Sequence, residues 1–240
     1  MSLKIGRIAA VIATLASLGG MAVAAPSASA ALRVTPKFIN WPVAGSLTAV
    51  KSDQTVTLPK GSAFNGEGEI FIENPEGTIL ASGTLTGTVT VPPFKATLTL
   101  PILGIPTPVD VGVTFAQDGP AVGTIKPAPP ATCSTPEGAC VSLSVPAKAN
   151  IGFTVLGVLG IKAPLFCETT EPLSLPLTET ATLLELVTKG LHFSGTTTIP
   201  SIKCPGLQGL VLGPILTTTL SGPNNPYSIF ISPPPPVEEP

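Results

Sequence analysis

Charge is scarce in this chain: Asp, Glu, Lys and Arg make up 11% of its 240 residues. Recognition of nucleic acid or of an anionic membrane surface needs clustered cations, and the lysines and arginines from Arg33 to Lys203 are scattered. Histidine is nearly absent. His192 is the single base available to any Ser-His-Asp or Cys-His arrangement, and its neighbour Ser194 on a strand does not have nucleophile–base geometry. There is no Gly-x-Ser-x-Gly elbow, and no phosphate-cradling glycine loop follows a strand and opens a helix. Aromatics are also few, with one Trp, one Tyr and nine Phe. A sugar-binding platform would therefore rest on Trp41, which the sequence places at one end of the core. Beyond residue 30 no run approaches the ~20 apolar residues of a membrane-spanning helix, although the mean hydropathy is +0.49.

What the chain does have begins at its start. Lys4 and Arg7 precede an apolar stretch from Ile8 to Leu18, and Ala28-Ser29-Ala30 supplies a small-x-small cleavage site. Together they read as a secretory signal peptide over residues 1–30, cleaved between Ala30 and Ala31. Removing Lys4 and Arg7 takes 12 basic residues to 10 against 14 acidic ones, a formal balance of −4. All four cysteines, Cys133, Cys140, Cys167 and Cys204, follow the cleavage site. An even count in an oxidising compartment points to two disulfides. Three connectivities are possible. Cys133 and Cys140 bracket a turn-forming segment that can bring its ends together, which would leave Cys167 and Cys204 to close a longer loop. Zinc-type ligand spacing is missing.

Period-two alternation recurs along the chain and helical periodicity is rare. Strands are predicted over 46–51, 54–58, 69–73, 78–91, 95–100, 109–115, 141–145, 149–156, 191–199 and 227–231, with Pro92-Pro93 ending the fourth. Thr84, Thr86, Thr88 and Thr90 share one face of the longest strand. Such a row resembles water-ordering threonine arrays, but it is also what a solvent-facing strand prefers. Short helices are predicted near 182–188 and, broken by Gly209, Gly213 and Pro214, within 205–220. The expected fold is all-β: an antiparallel β-sandwich of immunoglobulin-like dimensions with one or two short helices. Gly87–Lys95 and Gly195–Lys203 echo each other. Either Gly-Thr-rich strands ending at proline simply recur, or the echo marks two related β modules, 31–126 and 132–232, around a Pro-rich linker at 127–131, with a Pro-rich tail over 233–240.

The strand Gly195-Thr-Thr-Thr-Ile-Pro, Cys204, and the turn Ser221-Gly-Pro-Asn-Asn-Pro-Tyr227 resemble the C-terminal half of uncharacterised exported actinobacterial proteins. The likeness extends loosely from about Val43 to Ser232. Those proteins carry a cysteine pair like Cys167 and Cys204, whereas Cys133 and Cys140 lie outside the pattern. Asn224 stands where they commonly have glycine. The resemblance implies export and an all-β fold, and no catalytic activity.

Glu67, Glu69 and Glu73 share a strand face, an arrangement expected of a solvated surface, with a weak calcium site as the alternative. No catalytic, cofactor or metal residues are assigned. The expected function is that of a secreted, non-catalytic protein of the cell envelope or extracellular space. Its partner would be an unidentified envelope component. The alternative is a carrier of a lipid or other apolar ligand between the sheets, suggested by the apolar segments Leu100–Ile105 and Leu156–Ile161. An exported hydrolase using His192 is the third reading.

Overall fold

The computed structural model describes residues 31–74, 79–102, 104–133, 139–155 and 164–234. The expected signal peptide and its cleavage after Ala30, the segment Leu156–Ile161 and most of the tail lie outside the described residues. Among the described residues fourteen antiparallel strands form one connected sheet. They are β1 (Leu32–Val34), β2 (Lys37–Ala49), β3 (Gln54–Thr57), β4 (Ala63–Glu73), β5 (Leu80–Thr90), β6 (Phe94–Ile102) and β7 (Ile105–Gln117). Then come β8 (Ala121–Pro127), β9 (Cys140–Val155), β10 (Leu165–Thr169), β11 (Leu173–Thr182), β12 (Leu191–Ile199), β13 (Ile202–Lys203) and β14 (Gly222–Ile231). Among the described residues two α-helices are inserted, α1 (Leu183–Thr188) and α2 (Gly206–Leu220). The all-β, antiparallel reading holds.

The long strand β9 organises the rest. Its first half pairs β8 on one side and β11 on the other, and its second half pairs β7 and β10. The sequence reading split β9 at Pro146, yet the strand runs through. Pro146 stands directly opposite Pro176 of β11. An antiparallel pair that exchanges no hydrogen bonds tolerates proline, because each ring nitrogen faces away from its partner. The same device recurs where Pro101 meets Pro106.

Eight strands in the order β12-β14-β2-β4-β5-β8-β9-β11 form a ring, because β11 comes to lie beside β12. Inside the ring is one core, with Trp41, Phe64, Leu143, Leu177, Phe193 and Tyr227 buried in it. Trp41 packs edge-on to Phe38, with ring centroids 4.9 Å apart. A second core lies between β6, β7, the far half of β9, β10, β13 and α2. Helix α2 contributes Leu212, Leu216 and Leu220 at four-residue spacing, all nearly or fully buried, which is one stripe of a helix. Its opposite side exposes Leu207, Leu210 and Val211. Pro214 does not break it, contrary to the expectation of an interrupted segment. The ring sits on the exposed face, where the carbonyl of Leu210 that it leaves without an intrahelical partner meets water. Helix α1 begins with a reciprocal cap: the Thr182 hydroxyl accepts from the Glu185 N–H, and the Glu185 carboxylate accepts from the Thr182 N–H.

Residues 31–240 make one compact unit. The predicted boundary at 127–131 therefore separates no independent modules. Pro127 pairs with Val141 in the β8–β9 ladder, and β14 from the second half inserts beside β2 from the first. The two echoing segments share a local device instead. Gly87 lies against the Phe64 ring and Gly195 against the Tyr227 ring, so a β-carbon at either place would collide with the aromatic side chain. An aromatic residue covering a strand glycine restores the packing that glycine lacks. Asn224, at φ 60°, occupies the left-handed region, which glycine adopts freely and asparagine tolerates.

Candidate functional site

Both disulfides form with the pairing that the spacing suggested. Cys133–Cys140 ties the 3-10 turn Pro130–Thr132 to the start of β9, and Cys167–Cys204 ties β10 to the approach of α2. Removing loop entropy from the unfolded chain makes the first worth about 2.5 kcal/mol and the second about 4 kcal/mol. These are structural links. Neither joins a site.

Two of the three candidate carboxylates face basic residues at the surface, and Glu73 is exposed at the end of β4. Glu69 meets Arg33 at 2.6 Å, and Glu67 stands opposite Lys37 in the β2–β4 ladder. Among the described residues no group of three His, Cys, Asp or Glu is placed to hold a metal. His192 lies 3.2 Å from Ser228 through Nε2, a serine on the neighbouring strand rather than Ser194. Its ring tilts over Phe230. Ser228 belongs to β14, which is paired on one side with β12 and on the other with β2. Its backbone donors are therefore committed to ladders, and no pair of free N–H groups is available there for an oxyanion.

A different place stands out. Where the ring of strands joins the helix-covered sheet, an apolar cavity of about 110 Å³ lies among Val43, Leu47, Val56, Val89, Phe115 and Leu175. Leu58, Val91 and Ile229 complete much of its wall. Lys148 is the one charged residue along the lining, and its side chain is exposed. Val56, Leu58, Val89, Val91 and Phe115 are half-buried rather than sealed, so the cavity is partly open. A smaller void of about 40 Å³ continues it toward α2, walled by Ala49, Leu98, Val113, Ile199 and Leu220. Leu47, Val56 and Phe115 line both spaces, and Leu47 and Leu175 pack against both cores.

Of the segments that suggested an apolar ligand, the described residues of Leu100–Ile105 do not line this cavity. Leu100 is fully buried in the second core, Ile105 is exposed at a hairpin tip, and Leu156–Ile161 lie outside the described residues. The residues that do line it belong to ordinary alternating strands or, as Leu58 and Val91 do, directly follow one, so only the three-dimensional pairing reveals them. Side-chain amides hold the margins of the cavity in place. The Gln117 amide accepts from the Val89 N–H at 2.6 Å and donates to the Gly87 carbonyl at 3.1 Å, extending the edge of β5. Gln54 does the same for Thr99 of β6, at 2.7 and 3.1 Å.

The ring itself closes between β11 and β12 without a backbone ladder. The Tyr227 hydroxyl donates to the Pro176 carbonyl at 2.7 Å, the Thr197 hydroxyl donates to the Ser174 carbonyl at 2.6 Å, and Glu179 accepts from the His192 N–H at 2.7 Å. Burial pushes the Glu179 carboxyl above its ordinary value, while the His192 N–H and the neighbouring imidazole pull it the other way. Burial also pushes the Tyr227 phenol up, so it remains a donor at neutral pH.

Comparison of the chain with protein-family models, with curated proteins and with solved structures found no match. The chain is an all-β protein with two disulfides. Among the described residues no helix is long and apolar enough to cross a membrane.

Proposed function

We propose that this protein is an exported, non-catalytic binding protein of the cell envelope or extracellular space that holds an apolar ligand between its two cores. One observation carries the reading: a partly open cavity with an almost wholly hydrocarbon wall, at the junction of the strand ring and the helix-covered sheet. Interiors normally pack with few voids larger than water, and apolar cavities stay dry and accept hydrocarbon ligands. Export is supported by the Lys4/Arg7 start and the Ala28-Ser29-Ala30 site, and it is consistent with two disulfides.

The test is native mass spectrometry of the protein purified from its own host, paired with calorimetric titration of 1-hexanol, a neutral apolar probe small enough for the cavity. One apolar molecule per chain is expected, along with saturable probe binding. Both should disappear in Val89→Phe, whose ring fills the cavity while the chain stays folded. Protein that carries nothing and leaves the probe unbound would overturn the proposal. So would a Val89→Phe variant that binds as the parent does.

A further inference from the structure

We infer that the ligand portion inside the protein is a single unbranched hydrocarbon chain, threaded from the cavity at the junction into the smaller void beneath α2. The inference rests on the binding role proposed above and specifies its ligand class. The two spaces differ in volume, about 110 Å³ against about 40 Å³, and share Leu47, Val56 and Phe115 as common wall. They are therefore two lobes in line, with those side chains between them. An engineered apolar cavity of ~150 Å³ holds one benzene, roughly 25 Å³ per carbon. On that scale the outer lobe takes about four carbons and the inner lobe about two.

A ring, a fused ring system or a branched chain does not fit the inner lobe. The cross-section of a methylene chain does. The narrow passage also suits a chain, because Leu47 and Val56 are half-buried rather than sealed. Phe115 is backed by Phe94, with parallel rings 6.4 Å apart, which gives the passage one flat, fixed side. The inner lobe ends on Ile199 and Leu220, both nearly buried. Among the described residues no polar side chain other than Gln54 lines that lobe, and both ends of its amide are committed to Thr99. The terminus that reaches it must therefore be a methyl group, and any polar head stays outside the junction.

The experiment is calorimetric titration of straight-chain alcohols of increasing length, against cyclohexanol and 1-naphthol as ring comparators. Each methylene newly buried should tighten binding about fourfold, until about six carbons are covered and the gain levels off. Ala49→Leu plugs the inner lobe and should end the gain about two carbons earlier. Leu220→Ala enlarges that lobe and should extend it. Both variants should keep parental affinity for the shortest alcohols that bind, which also shows that the outer lobe is still folded. Opposite shifts of the plateau are not produced by a general loss of stability. Ring comparators binding as tightly as chains of equal carbon number would overturn the inference, as would a plateau that neither variant moves. Failure of every probe and alcohol to bind is distinguishable, since it overturns the binding role itself and this inference with it.

Discussion

Replacing Tyr227 by phenylalanine asks whether three side-chain hydrogen bonds close the strand ring. The Tyr227 hydroxyl reaches the Pro176 carbonyl at 2.7 Å from a residue that is only 4% exposed. Phenylalanine keeps the ring over Gly195, so packing is preserved and only the hydrogen bond is lost. A neutral hydrogen bond contributes about 0.5–1.5 kcal/mol net, while a buried acceptor left without a partner costs about 1–3 kcal/mol. Pro176 is exposed, so water replaces the hydroxyl and the lower range applies, at about 1 kcal/mol. In a folded unit of this size that lowers Tm by about 2–4 °C. The assay is thermal unfolding with both disulfides intact, joined to urea titration, in which the denaturant slope should not change. Thr197→Val removes the neighbouring bond to Ser174. The double variant should depart from the sum of the two single losses, because Ser174 and Pro176 sit two residues apart on one strand. An unchanged Tm in Tyr227→Phe, with amide exchange in β11 and β12 no faster than in the parent, would refute this account of the closure.

The remaining predictions concern separate parts of the fold. Replacing Cys167 and Cys204 by alanine should cost about 4 kcal/mol in a urea titration, against about 2.5 kcal/mol for Cys133 and Cys140; equal losses would contradict the loop-length argument. Gly87→Ala drives a β-carbon into the Phe64 ring and should destabilise by about 1–3 kcal/mol, whereas a neutral result would show that the ring can move aside. Burial raises the Glu179 carboxyl above its ordinary 4.5, so the folded chain holds this proton more tightly than the unfolded chain does. Its contribution to stability therefore grows as pH falls from the raised value toward 4.5 and is lost above it. Glu179→Gln keeps an acceptor for the His192 N–H and removes the charge. It should be at least as stable as the parent near neutral pH, with a flatter stability profile on the acid side.

Much of the sheet could be read locally. Alternation marked the strand over 191–199 within its observed bounds, and the hydroxyl row of Thr84 to Thr90 does face outward. Thr182 followed by Glu185 spelled a cap, although only the helix after it was predicted. Proline misled the reading twice, for opposite reasons. Pro146 looked like a strand end, but a non-hydrogen-bonded position asks nothing of its nitrogen. Pro214 looked like a helix break, but it sits on the wet side of α2. The linker at 127–131 failed because composition reports local stiffness, whereas domain division depends on which strands pair across the chain. The strand order, with β14 beside β2, is a contact of high sequence separation that no local signal encodes. For the same reason the cavity was invisible: Val43, Val56, Val89 and Leu175 look like any other inward strand residues until pairing brings them to one place.

The position of that cavity follows from how β9 is used. A strand that pairs β8 and β11 through its first half and β7 and β10 through its second must serve two cores with different demands. One core is a ring of strands filled by aromatics such as Trp41, Phe64 and Phe193. The other is a sheet capped by the leucine stripe of α2. Side chains at the change-over belong fully to neither, as the shared contacts of Leu47 and Leu175 show. Close packing is hardest to achieve where two differently curved surfaces meet, and the only cheap remedy is a larger side chain. The sequence does not take it. It places valine at 43, 56, 89 and 91 around the junction while spending long amide side chains, Gln117 and Gln54, to hold the adjoining strand edges. A chain selected for stability alone gains from closing such a void with one or two methylenes. If Val89→Phe raises Tm and abolishes probe binding together, the void is retained at the expense of stability, and occupation by ligand is the reason for keeping it open. If the substitution lowers Tm, the valines are there because nothing larger fits, and the cavity is a residue of geometry rather than a site.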